Sequence, residues 1–228
     1  MPDTRQEHWD KIFTTKTEEA VSWFQATPET SLRLIRACNL PREACILDVG
    51  AGASRLPDAL LEDGFTNIAV LDVSAVALAK TKARLSENEQ TIRFIVANIT
   101  AWEPDFTVDL WHDRAVLHFL TEPEDRAAYV NALRHAVRAG GFVLISGFAP
   151  SGPERCSGLP VLRADQDMIA RLLGVDFELL DAFEEDHQTP SGARQRFVFT
   201  RFQRRAVSVR DRYSIGPEFG RRTDAVRF

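Results

Sequence analysis

The residues with the plainest chemical purpose lie in one short run, Ala44–Cys45–Ile46–Leu47–Asp48–Val49–Gly50–Ala51–Gly52–Ala53–Ser54–Arg55. An apolar stretch ending in Asp-Val-Gly-Ala-Gly predicts a buried parallel strand that turns tightly into a helix near Ser54. Gly50 and Gly52 carry no Cβ, so the backbone there can approach a ligand closely. Asp48, at the carboxyl end of the strand, can accept hydrogen bonds from an amine or a hydroxyl group. This pairing suits a ligand with a free amino group better than a dinucleotide pyrophosphate. A Gly-x-Gly-x-x-Gly dinucleotide loop would also need glycine where Arg55 stands, which disfavours a nicotinamide-dependent oxidoreductase. The competing role for Asp48 is a cap on the helix that follows.

The elements that must position these residues follow an alternating pattern. From Arg42 to Gly147, short apolar runs predict strands at Cys45–Val49, Ile68–Leu71, Ile92–Val96, Val108–Trp111 and Phe142–Phe148. Between them, apolar residues spaced by three and four predict helices over Leu56–Glu62, Val76–Leu85 and Asp125–Val137. Gly64 and Gly140–Gly141 read as helix stops, and Pro123 as a helix start. Such alternation is the signature of a βαβ architecture. Beyond Gly147, two Gly/Pro-rich runs frame Arg155 and Cys156, a short helix spans Asp165–Leu173, and Phe177–Phe183 with Arg194–Phe202 predict a terminal antiparallel hairpin. Residues 1–40 read as a helical segment carrying Trp9, Ile12, Phe13, Val21, Trp23 and Phe24. Residues 204–228 form an arginine-rich tail without a period, expected to be mobile in isolation.

Composition narrows the function classes. At 228 residues, with 44% hydrophobic and 27% charged side chains, the chain can bury one sizeable core. A net charge of −5 gives no general reason to bind nucleic acid or a membrane surface, and only the tail offers a basic patch. The polar start and the lack of a long apolar run point to a protein of the cytoplasm. Cys38, Cys45 and Cys156 are far apart, so neither a disulfide framework nor a cysteine metal site is expected.

The order strand, Asp-x-Gly-x-Gly, helix, strand, Asp, helix resembles the class I S-adenosylmethionine-dependent methyltransferases, over about residues 40–203. The resemblance implies a Rossmann-like α/β fold: a seven-stranded, mostly parallel sheet with helices on both faces and a C-terminal antiparallel hairpin. It divides the chain into an N-terminal helical lid (1–40), a methyltransferase domain (41–203) and the basic tail (204–228). It implies that Asp48, Gly50, Ala51 and Gly52 hold the methionine part of S-adenosylmethionine. Asp72, with Val73 beside it, matches the acidic residue that grips both ribose hydroxyls, and Asn98–Ile99 match the adenine-contacting pair. Asp-Arg at Asp113–Arg114, with His8–Trp9–Asp10 and Ser22–Trp23–Phe24, looks like the thiopurine methyltransferase-like group and the small lysine methyltransferases. No Asn-Pro-Pro-Tyr signature is present, so nucleobase amino groups are disfavoured as acceptors.

Several residues keep two readings. Asp113 and Arg114 orient substrate or cofactor, or pair with each other to steady a loop. His118 acts as a base near neutral pH or packs beside Leu117 and Phe119. His112 reads as structural. Trp23 covers the cofactor or joins a small aromatic core with Trp9, Phe13 and Phe24. Asp72 has a helix-capping alternative and Asn98 a turn alternative. Cys156 lacks a partner base and is a poor nucleophile. The favoured function is methyl transfer to a small molecule, a thiol or other soft atom ahead of others. Protein lysine methylation is the alternative, and a non-catalytic cofactor-binding interaction protein is the third reading. If Asp72 grips the ribose, Asp72→Ala weakens cofactor binding by about 1–3 kcal/mol, the size of a lost charged hydrogen bond, as read by calorimetric titration.

Overall fold

The computed structural model describes residues 4–85 and 91–206. The tail beyond Ala206 lies outside the described residues. In chain order, α1 (Thr4–Thr15) and α2 (Glu29–Arg36) precede β1 (Ile46–Val49), α3 (Leu56–Glu62), β2 (Ile68–Asp72), α4 (Ala75–Leu85) and β3 (Ile92–Val96). Next come β4 (Val108–Arg114), α5 (Pro123–Ala136), β5 (Val137–Phe148), the short strands β6 (Arg155–Cys156) and β7 (Leu159–Pro160), α6 (Gln166–Leu173), β8 (Phe177–Gln188) and β9 (Arg194–Arg204).

Seven strands form one sheet in the order β3-β2-β1-β4-β5-β9-β8, and β6 pairs with β7 separately. The strands from β1 to β5 are parallel, while β9 runs antiparallel to β5 and to β8. The strand order reverses between β1 and β4, each beside the other, and in open α/β sheets ligands bind in the crevice at such a switch point.

Strand alternation assigns side chains to two cores. Leu47, Val49 and Trp111 face one layer, where Tyr129 and Leu133 of α5 and Ile169 and Leu173 of α6 pack. Ile46, Ile68, Val70 and Leu110 face the other, against Leu32 and Ile35 of α2, Leu56 and Leu60 of α3, and Leu78 of α4. Helices thus cover both faces, and β1 is buried on both sides along its whole length.

The differences from the sequence pattern have local causes. β4 continues past Trp111 to Arg114 because His112 and Asp113 find buried partners in spite of their polarity. Gly140–Gly141 do not end α5: the helix stops at Ala136, and β5 begins at once at Val137, with its pairing to β4 shifting between Val108 and Leu110. The polar stretch after Phe183 is strand to Gln188, since β9 supplies ladder partners and the alternation leaves Glu184 and Asp186 to meet Arg196. Residues 1–40 are not one helical unit; α1 and α2 are separated by a chain that carries Trp23.

One polar network sits inside the α5 layer. The Tyr129 hydroxyl donates to Asp113 Oδ2 at 2.7 Å and accepts from Trp111 Nε1 at 3.0 Å. Asp113 also accepts from the backbone N–H of Val116 (2.7 Å) and Leu117 (3.0 Å). Tyr129→Phe deprives two buried groups of a partner at once, so a loss of about 1–3 kcal/mol is expected in urea denaturation.

Candidate functional site

The cavity opens at the carboxyl edge of the sheet, above β1, β2 and β4, and is lined by Asp48, Gly50, Gly52, Asp72 and Arg114 among others. At its floor the chain leaves β1 through Gly50 (φ 65°) and Gly52 (φ 54°), both in the left-handed region that favours glycine. A Cβ on Gly50 would stand 1.9 Å from Val116 Cγ2, and one on Gly52 2.9 Å from Phe13 Cζ. The turn therefore admits no side chain at either position, and the backbone itself forms the cavity floor.

Asp48 is 3% exposed and does not cap α3, whose first turn takes Ser54 Oγ as acceptor for Leu56 N–H. Its Oδ1 lies 2.7 Å from His112 Nδ1, and His112 Nε2 lies 2.8 Å from Ser31 Oγ on α2. Asp48 and His112 are register partners on adjacent parallel strands, which places them on one face. Asp48 Oδ2 is buried without a partner. His112, read from the sequence as merely structural, thus lines the cavity and fixes one oxygen of Asp48 while the other stays available.

Adjacent residues on a strand point to opposite faces, and β4 applies that rule to Asp113 and Arg114. Asp113 turns into the α5 layer, where its carboxyl is fully engaged, and it does not line the cavity. The geometry gives it no catalytic or cofactor-binding position, and it does not pair with Arg114. Burial raises its carboxyl to about 6. Arg114 points to the cavity side with His112. Its Nη1 donates to the Trp23 carbonyl at 3.0 Å, and its guanidinium carbon lies 5.1 Å from the Phe197 ring centroid. Nε and Nη2 are buried without partners. Burial lowers its pKa to about 10, so the cation persists at neutral pH. After Arg114 the chain turns through Ala115 at φ 75°, a conformation alanine rarely adopts, and returns His118 to the cavity. His118 is 3% exposed, both ring nitrogens lack partners, and burial followed by the Arg114 charge lowers its pKa to about 3.

At the end of β2, Asp72 Oδ2 accepts from Gly52 N–H and Oδ1 from Ser74 N–H, each at 2.8 Å. The capping role at α4 belongs to Ser74, whose Oγ accepts from Ala77 N–H. Each carboxyl oxygen of Asp72 keeps a second lone-pair direction. Burial raises this carboxyl to about 6, opposed by its two backbone donors. Val73, Ala97, Asn98 and Ile99 line the same side, with Asn98 Oδ1 held by the Thr100 N–H and hydroxyl.

The N-terminal segment forms the roof. Trp9, Phe13 and Trp23 all line the cavity, and Trp9 packs edge-on against Trp23 (5.8 Å) and Phe119 (5.0 Å). Trp23 thus joins the aromatic cluster and also faces the cavity. Ser74 Oγ donates to Asp10 Oδ1 at 2.5 Å and ties α1 to the rim. Ser31, Gln195 and Phe197 join the site from outside the residues singled out in the sequence. Period-two alternation from Asp48 and Arg114 identifies His112; no local pattern marks Ser31, Gln195 or Phe197, which arrive through long-range packing.

The residues fit S-adenosylmethionine. Asp48 offers an unpartnered buried acceptor, the Gly50–Gly52 backbone leaves no room for side chains, and Asp72 stands at the end of the neighbouring strand. Among the described residues no group of three or more His, Cys, Asp or Glu side chains could hold a metal ion, and no helix is long and apolar enough to cross a membrane.

Comparison with known proteins agrees with this geometry. Residues 46–141 match the methyltransferase domain family. The eEF1A lysine and N-terminal methyltransferase homolog of Drosophila melanogaster is 26% identical over 147 residues, covering 60% of this chain and 22% of that protein. The chain thus spans about a fifth of the length of the first curated relatives it matches. Among solved structures, one from work on the conversion of a disulfide bond into a thioacetal group during echinomycin biosynthesis superposes with a TM-score of 0.71. It is 18% identical, with 91% of this chain and 94% of that chain covered. The 1,6-didemethyltoxoflavin-N1-methyltransferase of Burkholderia thailandensis, with bound 1,6-didemethyltoxoflavin and S-adenosylhomocysteine, gives 0.64 at 18% identity, covering 89% and 84%. Strand order, glycine turn and the match over residues 46–141 make this chain similar to methyltransferase domains, and its fold is the one that those solved structures share.

Proposed function

We propose that the chain transfers the methyl group of S-adenosylmethionine to a small-molecule nucleophile, with a thiol or other soft, anionic atom favoured. The observation that supports this reading is the buried, unpartnered Nε and Nη2 of the Arg114 guanidinium in a cavity roofed by aromatic side chains of the N-terminal segment. In this reading Asp72 accepts from the ribose hydroxyls, the second oxygen of Asp48 accepts from the cofactor amino group, and Asn98 with Ile99 borders the adenine. The bound cofactor supplies an electrophilic methyl group on a sulfonium sulfur.

The chain's own residues then have two tasks. One is alignment: in-line displacement depends on holding the nucleophile against the methyl carbon, and positioning of this kind supplies up to about 7–11 kcal/mol in ideal cases. The other is charge. Arg114 favours a nucleophile that arrives as an anion, and His118, held neutral with a pKa of about 3, is a weak proton acceptor. A thiolate meets both conditions because it needs no base. The roles assigned from the sequence to Arg114 and His118 become binding and orientation rather than proton transfer.

Protein lysine methylation is the second reading, favoured by the names of the curated relatives. It requires the aromatic roof to open and a protonated lysine to lose its proton beside Arg114, a like charge that resists its approach. An interaction protein without catalysis is the third.

Calorimetric titration with S-adenosylhomocysteine, with NADH as comparator, is the first test. Micromolar binding of the former alone is expected, followed by methylation of small thiols ahead of lysine-bearing proteins; no binding overturns the reading. 5′-Methylthioadenosine, which lacks the amino acid portion, separates the roles of the two aspartates. Asp48→Asn is expected to weaken S-adenosylhomocysteine about tenfold and leave 5′-methylthioadenosine unchanged, whereas Asp72→Ala weakens both.

The pH dependence has a defined sign. The ribose hydroxyls donate to the ionised form of Asp72, whose folded pKa is raised to about 6. Proton binding therefore opposes ligand binding, and affinity for S-adenosylhomocysteine falls as pH drops from 7.5 through 6 to 5. Asp72→Asn flattens that slope.

A further inference from the structure

Arg114 is set apart from the ion-paired arginines by which of its donors are used. Arg36 grips Asp63 through Nε and Nη2, each at 2.8 Å, and Arg84 grips Asp58 through the same edge at 2.9 and 2.8 Å. In Arg114 the protein uses only Nη1, on the Trp23 carbonyl; Nε and Nη2 have no partner among the described residues. Those two parallel donors are the edge that matches a carboxylate in a bidentate contact. Asp48 and Glu185 contribute to the field at Arg114, but neither is within ion-pair distance of it.

The surroundings are equally specific. His118 lies within the same cavity with both nitrogens unpartnered, its ring centroid 4.3 Å from that of Phe119 and 4.9 Å from that of Phe148. Phe197 covers the guanidinium, and Gln195 Oε1 is a further buried acceptor without a partner. A cation and a neutral imidazole, both held out of water within aromatic walls, are costly unless a ligand completes their hydrogen bonds.

Building on the methyltransferase reading, we propose that Arg114 and His118 form an acceptor subsite for a small aromatic or apolar molecule bearing a carboxylate. The carboxylate takes the Nε–Nη2 edge, His118 donates one N–H to it or to the reacting atom, and the aromatic walls take the apolar body. Arg114 thereby acts as a specificity determinant: it selects acceptors by charge and sets their orientation toward the methyl group.

The test compares isosteric pairs that differ in charge, benzoate with benzamide and 3-phenylpropanoate with 3-phenylpropanamide. They are titrated calorimetrically into the full chain, alone and saturated with S-adenosylhomocysteine. At least one carboxylate is expected to bind tenfold or more tightly than its amide, and Arg114→Gln is expected to erase the difference while keeping the S-adenosylhomocysteine affinity within about twofold. Arg114→Lys, which keeps the charge without the fork, is expected to restore part of the preference. Equal affinities within both pairs, or no binding by either carboxylate, overturn the proposal on the unmodified protein, whatever the variants do. Loss of S-adenosylhomocysteine binding in folded Arg114→Gln also overturns it, because the guanidinium would then serve the cofactor's own carboxylate. Failure of the unmodified chain to bind S-adenosylhomocysteine overturns the methyltransferase reading instead, and the titrations on the protein alone still decide the subsite.

Discussion

Charges held out of water at the carboxyl edge of the sheet govern the rest of this molecule. Asp48 on β1 and Arg114 on β4 share one face, each bonded through part of its hydrogen-bonding capacity and each with buried atoms left unpartnered in the rest. A buried polar atom without a partner costs about 1–3 kcal/mol, and more when charged. The opposite face of β4 shows that the fold can do otherwise. There Asp113 accepts from two backbone amides and from Tyr129, which in turn accepts from Trp111. A polar network closed on one face and open on the other, within three successive residues of one strand, marks the open face as the side where a ligand completes the structure.

The same charges explain why the N-terminal segment folds back over the sheet. Ser31 on α2 ends the chain of contacts that begins at Asp48, and the Trp23 carbonyl accepts from Arg114. Phe13 packs against the Gly52 position, and Asp10 accepts from Ser74 at the start of α4. Each contact joins the roof to a residue of the cavity floor or rim. Roof and floor are thus one arrangement, and a change that displaces α1 or α2 also releases the groups that orient Asp48 and Arg114.

Much of this was legible in the sequence because it rests on short-range pattern. The Asp-Val-Gly-Ala-Gly turn, the alternation of strands with helices and the terminal hairpin are each written within a few residues, and the structure contains all three. The cavity brings together Asp48, Gly50, Ala51, Gly52, Asp72, Val73, Asn98, Ile99, Trp23, Arg114 and His118, most of them at the ends of successive strands or in the turns that follow. Asp113 and Arg114 form one motif in the sequence, yet the period of two on a strand sends such neighbours to opposite faces. The same period would have promoted His112. Ser31, Gln195 and Phe197 have no such signal: their place depends on how α2 and β9 pack against β4 and β5, and no local pattern encodes that.

In the proposed reading the Arg114 end of the cavity receives the acceptor, and it then constrains the chemistry by sign. A cationic acceptor must shed its proton before it can attack, and beside Arg114 it must also approach a like charge in a region shielded from water. His118 offers it little help, since burial first and the Arg114 charge second oppose protonating the imidazole there. An anionic acceptor meets the reverse situation: it neutralises Arg114, needs no base and gains from the low dielectric that makes the unpaired cation expensive. The term that destabilises the protein without substrate is the one that favours an anion on binding. In the proposed reading, that asymmetry separates small anionic acceptors from lysine side chains more sharply than the shape of the fold does.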